Sequence, residues 1–202
     1  INTYQLTKVI MDTLTARFGG KPHVILCLLE RLKLDANRDV DEAAGGILYA
    51  ERAWAEYHHY LDIANELVTV NHGSGIVFDI HGHGENPDGY YDLRTWLGYL
   101  IKGYELDLTD EQLNTLDFKD KSSIKVLADS SSHSFINILR GETSFGSIMD
   151  SLGYECVPSV NSLGPAGSRY FSGGYITARH GSSEEGIISA IQIELPEPEI
   201  RD

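Results

Sequence analysis

Ile76-Val77-Phe78-Asp79-Ile80-His81-Gly82-His83-Gly84 decides the fold: a short apolar strand over residues 76–80 runs straight into two histidines set between glycines. Residues two apart in an extended chain point to the same side, so Asp79, His81 and His83 share one direction and both imidazoles can face one pocket. Gly82 and Gly84 remove side chains that would block a metal or substrate. In open α/β sheets ligands bind beyond the carboxyl ends of strands. His81 and His83 are therefore the candidate metal ligands, and Asp79 can orient an imidazole by accepting its second N–H. The plainer alternative is a pair of solvated or core histidines with Asp79 capping nearby backbone. A six-residue cluster closing a buried strand favours function, because such loops concentrate it.

Working outward, apolar residues at Leu6, Val9, Ile10 and Leu14 have helical spacing, and Gly19-Gly20 ends that helix. Residues 24–29 form a continuous apolar run, the mark of a strand covered on both faces. Ile47, Ala50, Trp54, Tyr57, Leu61, Ala64 and Val68 form one stripe of a long helix stopped at Asn71-His72-Gly73-Ser74-Gly75. The stripe predicts that Trp54, Tyr57 and Leu61 are buried and that Glu56 and His59 face solvent. Weak helical signals follow over 110–116 and 122–128. A better one spans 143–152, with Thr143 as N-cap and Gly153 at the left-handed C-terminal position. Residues 160–174, rich in Gly, Ser and Pro, read as a long loop over a site, and a last strand covers 188–195. Strands alternating with helices imply an α/β protein with a doubly wound, largely parallel sheet.

The chain has 202 residues, enough for a single domain spanning 1–202. Its 16 basic and 30 acidic side chains give a net charge of −14, which argues against nucleic acid or an anionic membrane as the main partner. No apolar run approaches the roughly 20 residues of a membrane span, so a soluble protein is expected. Cys27 and Cys156 lie in apolar runs and read as buried free thiols. The chain begins at Ile1, which suggests a processed or truncated N-terminus. Both a cytoplasmic protein and a secreted one whose upstream signal was removed remain open.

Two further groups of residues can carry chemistry. Arg31, Asp35, Asn37 and Arg38 follow the 24–29 run, which places them at the same sheet edge as the histidines. Arginine offers a rigid fork of donors for a carboxylate, and asparagine can fix a polar end. The alternative is a set of surface charges, with Arg38 paired to Asp35, Asp39 or Asp41. Glu194 lies in an otherwise apolar strand, where a carboxylate is costly unless paired or functional, and a carboxylate there suits a general base. The alternative puts Gln192 and Glu194 together on a solvent-exposed face. Arg169, Tyr175 and His180 are candidates for substrate contacts. No Gly-x-Ser-x-Gly elbow and no Gly-x-x-x-x-Gly-Lys loop occurs, so the usual serine-hydrolase and nucleotide-phosphate signatures are missing.

The order of motifs resembles the N-formylglutamate amidohydrolase family. The pieces that match are Lys21-Pro22-His23-Val24-Ile25, Arg31-Leu32-Lys33-Leu34-Asp35-Ala36-Asn37-Arg38, residues 79–84, residues 170–175 and residues 190–195. The resemblance implies a three-layer, zinc-carboxypeptidase-like fold with helices on both faces of a mostly parallel sheet. It implies an amidohydrolase that uses zinc-activated water on a small N-acyl amino acid or short peptide bearing a carboxylate. In that scheme His81 ligates zinc, Asn37 and Arg38 hold the carboxylate and polarise a carbonyl, and Glu194 is the base. The family's Pro-His-Gly-Gly-like segment, which supplies earlier ligands, is missing from the sequence. Zinc is then weakly bound or absent, or an associated N-terminal segment completes the site. The alternative is a non-catalytic binding or structural protein that kept the fold after losing those ligands. A two-histidine site at His81 and His83 for copper, nickel or iron is a third option.

Overall fold

The computed structural model describes residues 3–84, 89–183, 186–197 and 200. Ile1, where the sequence reading sets a processed terminus, lies outside them. The chain divides into two compact units, Ile1–Gly75 and Ile76–Asp202.

The first unit is helical: α1 (Thr3–Phe18), α2 (Val40–Ala44) and α3 (Leu48–His72). α1 ends at Gly19, whose positive φ of 75° lets its N–H turn back to the Thr15 carbonyl at 2.9 Å. α3 ends in the same way at Gly73. On α3, Leu61 is buried and Glu56 and His59 are exposed, as the stripe predicts. Trp54 and Tyr57 are only half-buried, and His58, between the stripe's two edges, is the side chain most fully enclosed.

Residues 24–29 correct the sequence reading. They join no ladder among the described residues, and Leu26, Cys27, Leu28 and Leu29 are exposed. An apolar run marks a segment that gains by being covered; it does not specify a partner, and a strand is made by its ladder. Arg31, Asp35, Asn37 and Arg38 accordingly lie in the turns before α2, and their inferred place at a sheet edge falls with the strand.

The second unit is mixed α/β. Its strands are β1 (Ile76–Gly82), β2 (Thr95–Gly98), β3 (Cys156–Val157) and β4 (Ser189–Leu195), in the order β1-β4-β2-β3. β1 pairs parallel with β4 and β2 parallel with β3, while β2 and β4 are antiparallel, giving an open, mostly parallel sheet. Six short helices run between β2 and β3: α4 (Gly103–Leu106), α5 (Asp110–Leu113), α6 (Leu116–Lys121), α7 (Lys125–Ser130), α8 (Phe135–Arg140) and α9 (Phe145–Ser151). α10 (Tyr175–His180) precedes β4. The N-cap of α9 is Ser144, one residue beyond the expected Thr143, and its hydroxyl accepts the Ser147 N–H.

The two faces of the sheet differ in chemistry. Ile76, Phe78 and Ile80 share a face with Ile191, Ile193, Leu195 and Leu97, following the register. α9 packs on part of this face: Phe145 stacks on Phe78 with centroids 5.6 Å apart, and a Cβ at Gly146 would come within 3.0 Å of the Leu97 Cδ1, while Ile76 and Phe78 stay exposed at the β1 edge. The opposite face carries Val77, Asp79 and His81 from β1, Ala190, Gln192 and Glu194 from β4, and Trp96 and Gly98 from β2. α10 lies towards this second face, since a Cβ at Gly181, just past its end, would come within 3.0 Å of the Ala190 Cβ. Among the described residues no helix is long and apolar enough to cross a membrane.

Candidate functional site

The polar face brings Asp79, His81, Gln192 and Glu194 onto two adjacent strands. In register, Asp79 is paired with Gln192 and His81 with Glu194. The Asp79 Oδ1 lies 2.9 Å from the His81 Nε2, and an ionised carboxylate only accepts, so Nε2 carries the proton. That fixes the tautomer and makes Nδ1 the basic nitrogen of a neutral His81. Among the described residues the buried Asp79 Oδ2 has no hydrogen-bond partner. Glu194 is only 5 % exposed, and the Gln192 side-chain amide donates to its Oε1 at 2.8 Å. Both residues are therefore interior, which overturns the solvent-facing alternative for this strand.

His83 continues the same direction but is used differently. Its Nε2 donates to the Arg94 carbonyl at 2.9 Å, and its ring lies flat on Trp96, with centroids 3.7 Å apart and planes 4° from parallel. The Trp96 indole N–H in turn donates to Asp92. Asp92 is gripped by the Arg94 guanidinium through Nε at 2.9 Å and Nη2 at 2.8 Å, and by the Arg94 backbone N–H at 3.0 Å. Burial alone would raise the Asp92 pKa, but the hydrogen bonds and charge of Arg94, with the Trp96 donor, outweigh it and hold the carboxyl below its usual range. The sequence reading missed this group. Its signal was the alternation Asp92-x-Arg94-x-Trp96 leading into a strand.

The loop after residue 160 lies over the polar face. A Cβ at Gly98 would fall 2.5 Å from the Gly173 nitrogen, so loop backbone rests directly on the strand there. Phe171 meets Trp96 edge-on at 5.5 Å, and the exposed Arg169 places its guanidinium 4.9 Å from the Phe171 ring centre. The Tyr170 hydroxyl donates to the Leu97 carbonyl at 2.5 Å. Tyr175 opens α10 half-buried, and His180 closes it, buried. The second unit thus places His81 and Glu194 on one sheet face, with His83 stacked on Trp96 and Arg169 beside Phe171 next to it, while Tyr175 and His180 stand at the two ends of α10.

Asn37 and Arg38 belong to the first unit. Asn37 is half-buried, and its backbone N–H donates to the Asp35 Oδ1 at 3.1 Å. The Arg38 side chain is 62 % exposed and pairs loosely with Asp35 at 3.8 Å and Glu42 at 3.9 Å. The surface pairing weighed at the sequence level is present, with Glu42 in the place of Asp39 or Asp41. Asp39 caps α2 instead, accepting the Asp41 N–H.

Fold and site together define a mixed α/β protein whose open sheet presents a buried, carboxylate-rich polar strip on one face. No family model, curated protein or solved structure matches this chain.

Proposed function

We propose that the chain is a hydrolase of C–N amide bonds, acting on a small N-acyl amino acid or short peptide with a free carboxylate, in the manner of the N-formylglutamate amidohydrolases it resembles. The observation that carries this reading is Glu194, a carboxylate 5 % exposed near the carboxyl end of a buried strand and paired in register with a carboxylate-oriented histidine. Such a carboxylate is costly to bury without a task. Glu194 takes a proton from water as the water oxygen adds to the amide carbon, and returns it to the departing nitrogen, leaving an acid and an amine. The resemblance assigns Asn37 and Arg38 to the substrate carboxylate; Arg169, Tyr175 and His180 are the sequence's own candidates for further substrate contacts.

Metal dependence rests on the resemblance. A catalytic zinc takes about three protein ligands. The described residues gather no group of three or more His, Cys, Asp or Glu that could hold one. They do not by themselves fit a zinc ion, and His83 commits Nε2 to the Arg94 carbonyl. Donors beyond the described residues are needed for a full site.

The pairing of Gln192 with Glu194 and of Asp79 with His81 inside the strip favours a second reading, a binding or structural protein in which these side chains hold one another. The deciding experiment is calorimetric zinc titration with a parallel N-formyl-L-glutamate assay on the chain and on its His81→Ala and Glu194→Gln variants. Hydrolysis that is stimulated by zinc and lost in both variants supports the enzyme. Turnover unchanged by Glu194→Gln, or tight zinc binding that survives His81→Ala, overturns it. Binding of N-formyl-L-glutamate without turnover selects the second reading.

A further inference from the structure

The turn that carries Asn37 and Arg38 is held by two side chains of one helix face. Trp54 and His58 are four residues apart on α3, so they lie one above the other, with ring centroids 4.3 Å apart. The Trp54 indole N–H donates to the Arg38 carbonyl at 2.9 Å. The His58 Nε2 is 3.1 Å from the Ala36 carbonyl, and since a carbonyl only accepts, Nε2 is the donor. These two carbonyls belong to the peptide planes that flank the Asn37–Arg38 pair, so fixing both restrains the backbone torsions that aim the two side chains. Within the turn, the Asn37 and Arg38 N–H groups are also tied to Asp35, at 3.1 Å each.

Backbone and side chain are held very differently here. His58 is 1 % exposed and Ala36 is buried. The Arg38 guanidinium, by contrast, is mostly exposed, and among the described residues its ion pairs lie at 3.8 and 3.9 Å. Exposed pairs at such distances are weak and are readily exchanged for a better-placed carboxylate. A fixed base bearing a lightly held fork of donors is how a recognition site limits the entropy lost on binding.

We propose that Trp54 and His58 are positioning residues, which hold residues 35–38 in the shape that presents Asn37 and Arg38 to a carboxylate; this rests on the carboxylate reading above. Neither residue touches the ligand. Their effect is read through Arg38.

The test uses the whole chain, N-formyl-L-glutamate as the probe, and two readouts. Trp54→Phe keeps an aromatic ring and removes the donor; His58→Leu removes the other donor, and His58→Gln restores an N–H. In calorimetry, Trp54→Phe and His58→Leu are each expected to weaken binding about tenfold, the scale of one lost hydrogen bond. His58→Gln should recover most of that, and Trp54→Phe should add nothing in an Arg38→Ala background. In the ligand-free chain, the Asn37 and Arg38 amides should exchange faster in Trp54→Phe while the α3 amides keep their protection. Unchanged exchange at these two amides overturns the positioning role, as do losses that simply add in the double variant. A wild-type chain that binds no N-formyl-L-glutamate overturns the carboxylate reading instead, and amide exchange in that same chain still decides whether the turn is held.

Discussion

The Gln192 side-chain amide lies 2.8 Å from the Glu194 Oε1, two residues along one strand and on one face of the sheet. A buried carboxylate keeps its charge only where donors compensate for lost water, and this amide is one of them. Gln192→Ala is expected to cost about 1–3 kcal/mol, the penalty for stripping a partner from a buried polar group. Glu194→Gln, which keeps the shape, should leave the urea midpoint close to wild type while abolishing N-formyl-L-glutamate hydrolysis. Equal losses of stability in both variants would make Glu194 a structural residue.

Asp92 gives a prediction with a pH dependence. Its carboxyl is held below the ordinary value of 3.8 in the folded chain, so it binds its proton more weakly folded than unfolded. The stabilisation is therefore fully present above the unfolded pKa of about 3.9 and is lost as pH falls through the lower folded value. Asp92→Asn should destabilise the chain by about 3–5 kcal/mol at pH 7, because it strands the partly buried Arg94. The gap between wild type and variant should begin to narrow below about pH 4. Urea unfolding at pH 7, 5 and 3.5 measures it, and a gap independent of pH would remove the ion pair from the account.

Much of this was legible in the sequence, and for physical reasons. The alternation of Ile76, Phe78 and Ile80 with Asp79 and His81 has the period of a strand, and Gln192 and Glu194 repeat it, so the polar face could be read before the pairing was known. Helix ends at Gly19, Gly73 and Gly153 were legible because a left-handed residue is cheapest as glycine. The short strands β2 and β3 were not, since four and two residues are too few for a period to show. Residues 24–29 misled because apolar content reports a preference for burial and carries no information about a ladder. His58 escaped notice because polar residues on a buried stripe are recognised only through their partners, here the Ala36 carbonyl 22 residues earlier.

Gly98 tests whether the loop truly rests on the polar face. It shares that face with Gln192, and a side chain there would meet the Ser172 carbonyl carbon at 2.7 Å and the Gly173 nitrogen at 2.5 Å. Gly98→Ala should lift the loop and cost about 1–3 kcal/mol, as overpacking does. The fluorescence of Trp96 should change as Phe171 withdraws from its edge. Gly20→Ala is the control, since nothing lies within 4 Å of its Cβ position and its φ is not positive. A Gly98→Ala variant as stable as that control would contradict the placement of the loop.

The two cysteines separate the sequence reading from the structure most directly. A strand covered on both faces over residues 24–29 would shield Cys27, whereas the structure leaves that thiol exposed. Cys156 is buried in β3, and burial, with the nearby Asp150 charge, pushes its thiol up to about 12. Reaction with a disulfide reagent needs both access and thiolate, and Cys156 offers neither near neutral pH. The native chain at pH 8 is therefore expected to release one equivalent of reporter quickly and a second only in denaturant. Cys27→Ser should abolish the fast phase and leave the slow one intact. If the native chain releases no fast equivalent, residues 24–29 are covered, and the strand inferred from their composition regains its claim over the exposed segment described here.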